Sequence, residues 1–116
     1  MTLVFFETPL FTRKRPFYLD EENYRQLQNA LLENPQRGSL MPETGGFRKL
    51  RWLEQRRGKG KCGGLRIIYY YFATACQIWL FTIYDKPEMT DLTKEEKQLL
   101  KKAIQIELAA RRQGRT

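Results

Sequence analysis

The chain has 116 residues, with 21 Lys and Arg against 13 Asp and Glu, no histidine and a formal charge of +8. A chain of this length makes one domain, able to bury about 65% of its unfolded surface without disulfide or metal staples, and a content of 41% hydrophobic and 13% aromatic residues excludes a disordered chain. Two cysteines, Cys62 and Cys76, suit a reducing compartment and define no disulfide framework. No secretory leader is visible, no apolar run reaches the roughly 18 residues of a membrane span, and neither predicted helix is a basic amphipathic anchor, so the expected location is cytoplasmic, away from membranes.

Leu3-Val4-Phe5-Phe6 predicts a first strand, closed by Pro9. Phe11–Arg15 is polar and basic and is expected to be loop. Asp20 is a good N-cap, followed by Glu21 and Glu22 where they complement the helix dipole, and Tyr24, Leu27, Ala30 and Leu31 form one apolar stripe. That helix should stop near Glu33 and Asn34, before Pro35. Pro35–Gly46 is a connection with turns. Phe47–Leu53 alternates: Leu50 and Trp52 are the expected core-facing pair, which puts Lys49 and Arg51 on the opposite, open face. Gln55–Gly64 is a loop rich in glycine and lysine. Leu65–Ala73 and Cys76–Tyr84 are strands joined at Thr74-Ala75 into an antiparallel hairpin. After a loop at Asp85–Asp91, Thr93-x-x-Glu96 is a capping box that opens a second helix, with Leu99, Leu100, Ala103 and Ile104 as its inner stripe. The order β-α-β-β-β-α predicts an α+β fold: one domain over residues 1–116, with a small antiparallel sheet and helices packed on one face.

The charge is concentrated. From Phe47 to Arg66 the chain carries eight basic residues (Arg48, Lys49, Arg51, Arg56, Arg57, Lys59, Lys61 and Arg66) and one acid, Glu54, so this window holds nearly all of the excess. A positive patch this dense is the footprint of a polyanion, and nucleic acid is the commonest. Gly58-Lys59-Gly60-Lys61-Cys62-Gly63 matches GxGxxG by letter, but it precedes a strand where a dinucleotide fingerprint needs a helix. A basic loop whose amides and lysines touch phosphates is the better reading. Two cysteines without histidine make no zinc site, and no metal or cofactor is expected. Of the run Tyr69-Tyr70-Tyr71, alternate members face opposite sides, and an exposed aromatic beside basic residues can stack on unpaired bases.

An RNA-cleaving enzyme of this composition has a chemical constraint. Attack of a 2′-hydroxyl on the adjacent phosphorus needs a base, an acid and stabilisation of the charged phosphorane, and histidine usually supplies the first two. Here Tyr84, or a lysine whose proton is loosened by neighbouring cations, must substitute, with Arg66 and Lys49 stabilising charge.

The segments Gly45-Gly46-Phe47-Arg48-Lys49-Leu50-Arg51-Trp52, Gly58–Tyr71, Leu80-Phe81-Thr82-Ile83-Tyr84-Asp85-Lys86 and Asp91-Leu92-Thr93 run in one order. Together they resemble the RelE superfamily of toxin–antitoxin toxins, and within it the HigB-like branch. The resemblance covers about Leu19 to Ala109. It implies a RelE-like sheet with helices on one side and a toxin that cuts messenger RNA in the ribosomal A site without a metal or other cofactor. Its implied partners are the ribosome and mRNA, and a cognate antitoxin, often a helix-turn-helix protein through which alone operator DNA is reached. By position it implies Lys49, Arg51, Arg66, Tyr84 and Lys86 as the catalytic set. Arg66 is expected on the scissile phosphate, Tyr84 and Lys86 as acid and base, and Lys49 and Arg51 as phosphate contacts or proton-transfer candidates. Arg48, Arg56, Arg57, Lys59 and Lys61 are expected to hold RNA or ribosome. Cys62 stands where the family often has serine, and Thr8–Pro16 matches nothing in it. The superfamily also contains ParE-like gyrase poisons, and a basic RNA-binding module without catalysis is a third reading of the same residues.

Overall fold

The computed structural model describes residues 2–52, 64–85 and 92–113. The elements run β1 (Val4–Glu7), α1 (Pro9–Tyr18), α2 (Glu21–Glu33), β2 (Ser39–Leu40), β3 (Arg48–Trp52), β4 (Leu65–Phe72), a 3-10 turn (Ala73–Ala75), β5 (Gln77–Asp85) and α3 (Lys94–Arg112). The fold is α+β, a five-stranded sheet in the order β1-β5-β4-β3-β2 with three helices packed against it. No helix among the described residues is long and apolar enough to cross a membrane.

Two features of the layering differ from expectation. The sheet is mixed, because β1 runs parallel to β5 while the other pairs are antiparallel. The helices also occupy both faces of the sheet and not one. Leu50, Leu65, Ile67, Tyr69, Ile78, Leu80 and Ile83 face α1 and α2, where Phe11, Leu27 and Leu31 meet them. Phe47, Ile68, Phe72 and Tyr84 face the other way, onto Leu100 and Ile104 of α3. Successive strand residues point to opposite sides, and both sets of alternate positions here are apolar, so each face needs its own cover.

The segment expected to be loop, Phe11–Arg15, lies inside α1. Thr8 caps this helix by accepting from the Phe11 N–H at 3.1 Å, and Pro9 opens it, where a missing N–H costs nothing. The Thr8 hydroxyl also donates to the Phe81 carbonyl at 2.7 Å, which ties the helix start to β5. Behind it, Glu7 accepts from the Thr12 hydroxyl at 2.7 Å and from the Tyr24 hydroxyl, and pairs with Arg15 at 3.5 Å. The Arg15 guanidinium in turn lies 4.3 Å from the Tyr24 ring centre. Burial, then the Glu7 carboxylate, push the Tyr24 hydroxyl well above its ordinary pKa. Phe11 is the buried side chain of α1, so the helix shows no amphipathic stripe, and its signal in the sequence was the Thr8-Pro9 start.

The other expected helices stand. Asp20 caps α2 through the Asn23 N–H at 2.8 Å, and the Thr93–Glu96 capping box opens α3. Within α3 the stripe is narrower than expected: Leu100 and Ile104 are buried, but Leu99 points outward. Cys76 is half-buried, with a left-handed φ of 54°, and sits in the turn before β5, not within the strand.

Candidate nucleic-acid interface

Strand register decides which charged residues meet. On β3 and β4, Arg51 stands directly opposite Arg66; on β4 and β5, Arg66 stands directly opposite Tyr84. The three form one row across three strands. The next row on the same face is Lys49, Ile68 and Thr82. Directly opposed side chains have Cβ atoms about 4.5–5.5 Å apart, so the row sets two arginines and a tyrosine side by side on one face.

A β-bulge makes this row possible. Ile68 pairs with Thr82 and Tyr69 with Leu80, leaving Phe81 as an extra residue on β5. Phe81 and Thr82 therefore both turn toward the α3 face, and the alternation of β5 reverses beyond them. Trp79 lies on that face before the bulge and Tyr84 after it. Without the extra residue, Tyr84 would point into the α1–α2 core.

Exposure differs sharply along the row. Arg51 is exposed, Lys49 and Arg66 are half-buried, and Tyr84 is 1% exposed, part of the core beneath α3. The Arg66 guanidinium lies 3.5 Å from the carbonyls of both Gly64 and Leu65, which turns it back along its own strand. Thr82, one pair away, is a buried hydroxyl that no sequence pattern singles out.

The remaining candidates lie elsewhere. Arg48 is on the opposite face, with its guanidinium donating to the carbonyls of Gly38 at 2.7 Å and Gln36 at 3.2 Å, where it holds the α2–β2 connection. Arg56, Arg57, Lys59, Lys61 and Lys86, with Cys62, lie outside the described residues. Among the tyrosines, Tyr69 is buried on the α2 side. Its hydroxyl donates to the Pro35 carbonyl at 2.8 Å and accepts from the Gly38 N–H at 2.9 Å, and burial raises its pKa. Tyr70 is half-buried on the α3 side, its ring edge-on to Phe47 at 5.3 Å.

The Gly45-Gly46-Phe47 segment proves to be a packing device. Gly45 has φ 82°, and a Cβ there would come within 2.8 Å of Ile104 Cγ2. The turn is held by Thr44, whose hydroxyl donates to the Met41 carbonyl at 2.8 Å and accepts from the Phe47 N–H at 3.1 Å. It seats Phe47 under α3 and so fixes where β3 and its two cations begin. Among the described residues, no three His, Cys, Asp or Glu side chains group in a way that would hold a metal ion. No known family model matches the chain.

Proposed function

We propose that this protein is the toxin of a type II toxin–antitoxin system, a RelE-type endoribonuclease that cuts messenger RNA in the ribosomal A site of the cytoplasm. The observation that carries the reading is the Arg51–Arg66–Tyr84 row, with Lys49 beside it. Like charges directly opposed on a strand pair repel, and a phosphate seated between Arg51 and Arg66 relieves that repulsion.

In the proposed chemistry the RNA 2′-hydroxyl attacks the adjacent phosphorus, and the 5′-oxygen leaves. Arg66 and Arg51 stabilise the charge that builds on the phosphorane, and Lys49 contacts the neighbouring phosphate. Tyr84 and Lys86 serve as acid and base. Tyr84 is enclosed in the free protein, so its hydroxyl meets substrate only after the chain above it shifts. That need ties cutting to the ribosome complex, where positioning of the RNA supplies much of the rate. The partners in this reading are the ribosome and mRNA, and a helix-turn-helix antitoxin that alone carries operator DNA; no cofactor takes part.

One observation favours a second reading. The enclosure of Tyr84 is what a basic RNA-binding module without catalysis would show. Primer extension on a defined message separates the two, using purified protein with and without 70S ribosomes carrying an empty A site. Cuts at the A-site codon only with ribosomes support the endonuclease. No cuts from folded protein that still binds RNA support the binding module. No cuts and no RNA binding would direct attention to gyrase, tested by supercoiling.

A further inference from the structure

A cavity of about 470 Å³ lies at the hairpin end of the sheet, where the end of β4 and the 3-10 turn meet the last turn of α3. Tyr70, Tyr71, Phe72, Thr74, Arg111 and Arg112 line it. The cationic row is at the other end of β4: Phe72 lies six residues beyond Arg66, about 20 Å along a strand. The chemistry proposed above uses none of these side chains.

Arg111 is set in place from two sides. Its guanidinium lies 3.9 Å from the Phe72 ring centre, and its Nε donates to the Glu107 carboxylate at 2.9 Å. A planar cation oriented in advance loses little freedom when a ligand arrives. The Phe72 ring beneath it is itself fixed. It is buried, tilted against Tyr70 at 4.7 Å and edge-on to Trp79 at 5.8 Å. Phe72 takes one face of the guanidinium, and Arg111 is only half-buried where it lines the cavity. Arg112 adds an exposed cation and Thr74 an exposed hydroxyl. None of the described side chains that line the cavity is acidic.

Flat rings beside two guanidinium groups fit a ligand that is both aromatic and anionic. An acidic peptide would pair with the arginines and leave the rings without a partner. An apolar ligand would strip water from both arginines and replace none of it. A nucleotide meets both needs, because its base has a face that stacks on guanidinium or tyrosine and its phosphate accepts from arginine. The cavity is also of the size usual for small-ligand sites.

We propose that this cavity binds one nucleotide unit. The base stacks on the face of the Arg111 guanidinium that Phe72 leaves uncovered, and the phosphate is held by Arg112 and the Thr74 hydroxyl. The site does not depend on the cationic row or on RNA cutting. Two sources carry this chemistry, a free mononucleotide and an unpaired nucleotide within an RNA chain.

The test is calorimetric titration of the full chain with AMP, adenosine and ribose 5-phosphate, with amide NMR spectra to locate each ligand. AMP is expected to shift the amides of Ala73, Thr74 and Arg111, and the two fragments should bind at least tenfold more weakly. Arg111→Lys keeps a charge beside Glu107 but removes the flat face, so it should weaken AMP about tenfold, the effect of one lost stack, and leave ribose 5-phosphate unchanged. Arg112→Ala changes an exposed residue and should weaken AMP by a similar factor, which keeps the test alive should Arg111→Lys not fold. Lys102→Ala, an exposed cation in the middle of α3, should leave AMP binding unchanged. A single-stranded tetranucleotide that shifts the same amides, binds more tightly than AMP and loses the same factor in Arg111→Lys assigns the site to RNA. Equal binding of AMP and tetranucleotide assigns it to the free nucleotide. No shifts at these amides with either ligand, ribose 5-phosphate binding as well as AMP, undiminished binding by both arginine variants, or equal loss with Lys102→Ala would overturn the proposal. None of these readouts involves RNA cleavage, so they fail or succeed apart from the proposed nuclease.

Discussion

Arg66 and Tyr84 face each other across β4 and β5, on the side of the sheet where Arg51 also points. The extra residue at Phe81 sets that relationship. Deleting Phe81 should reverse the pleat beyond it, turn Ile83 toward α3 and drive Tyr84 into the α1–α2 core, where Leu80 and Ile78 already fill the space. The expected result is a chain that does not fold cooperatively, read as loss of a sharp thermal transition. A deletion variant that melts as the parent does would show that the bulge is dispensable.

The two arginines should separate activity from stability. Arg51→Ala and Arg66→Ala are each expected to lower ribosome-dependent cleavage about 100-fold, the usual cost of removing one group that stabilises transition-state charge. Their melting temperatures should change little, because the repulsion each change removes offsets the contacts it loses. Arg48→Ala should do the reverse, lowering stability through the freed Gly38 and Gln36 carbonyls while leaving cleavage intact. Toxicity in cells and thermal melts of the same three variants check both halves.

Tyr84 can be divided into ring and hydroxyl. Tyr84→Phe keeps the packing against Leu100 and Ile104 and should melt normally while cutting at a much lower rate. Tyr84→Ala leaves a cavity under α3 and should cost about 3–5 kcal/mol in denaturant unfolding. Full cleavage by Tyr84→Phe would remove the phenol from the chemistry and leave it a packing role.

Gly45→Ala is expected to destabilise the fold by about 1–3 kcal/mol. Its φ of 82° is unfavourable for alanine, and the new methyl would press on Ile104. Urea unfolding of the variant measures it.

Alkaline pH should loosen the α1–α2 side first. Tyr24 and Tyr69 have hydroxyl pKa values raised above the ordinary 10.0, so the folded state holds these protons more tightly than the unfolded chain does. Their contribution is complete below pH 10 and is lost as the pH rises from there through the folded values. Stability should therefore fall steeply above pH 10, and Tyr24→Phe with Tyr69→Phe should flatten that fall. An unchanged slope in the double variant would assign the alkaline loss to other groups.

The sequence revealed elements with strong periodic or capping signals, and hid what depends on pairing. Asp20, the Thr93–Glu96 box and the alternation around Leu50 marked α2, α3 and β3 closely. Helix α1 was hidden because it buries little besides Phe11 and is held by contacts to Glu7 and Phe81, neither of which shows as a period. The division of helices between two faces was hidden for a related reason: a strand apolar on both sides does not say where its covers come from. Lys49 and Arg51 were legible as a same-face pair from β3 alone. That Arg66 and Tyr84 join them needed the register of three strands and a bulge that no single segment encodes.

The parallel pairing of β1 with β5 has a consequence for synthesis. Thr8 and Phe81, which lock that edge together, are 73 residues apart in the chain. As the protein leaves the ribosome, its first strand has nothing to pair with until the last strand has emerged, and contacts so distant in sequence close late. The hairpin of β4 and β5 that carries Arg66 and Tyr84 also waits for β5, but its strands are neighbours in the chain and close first, so the cationic row can assemble before the N-terminal edge is sealed. For that interval Val4 and Phe6 meet the cell as an open strand edge, and a binder acting on the nascent chain would find its surface there first.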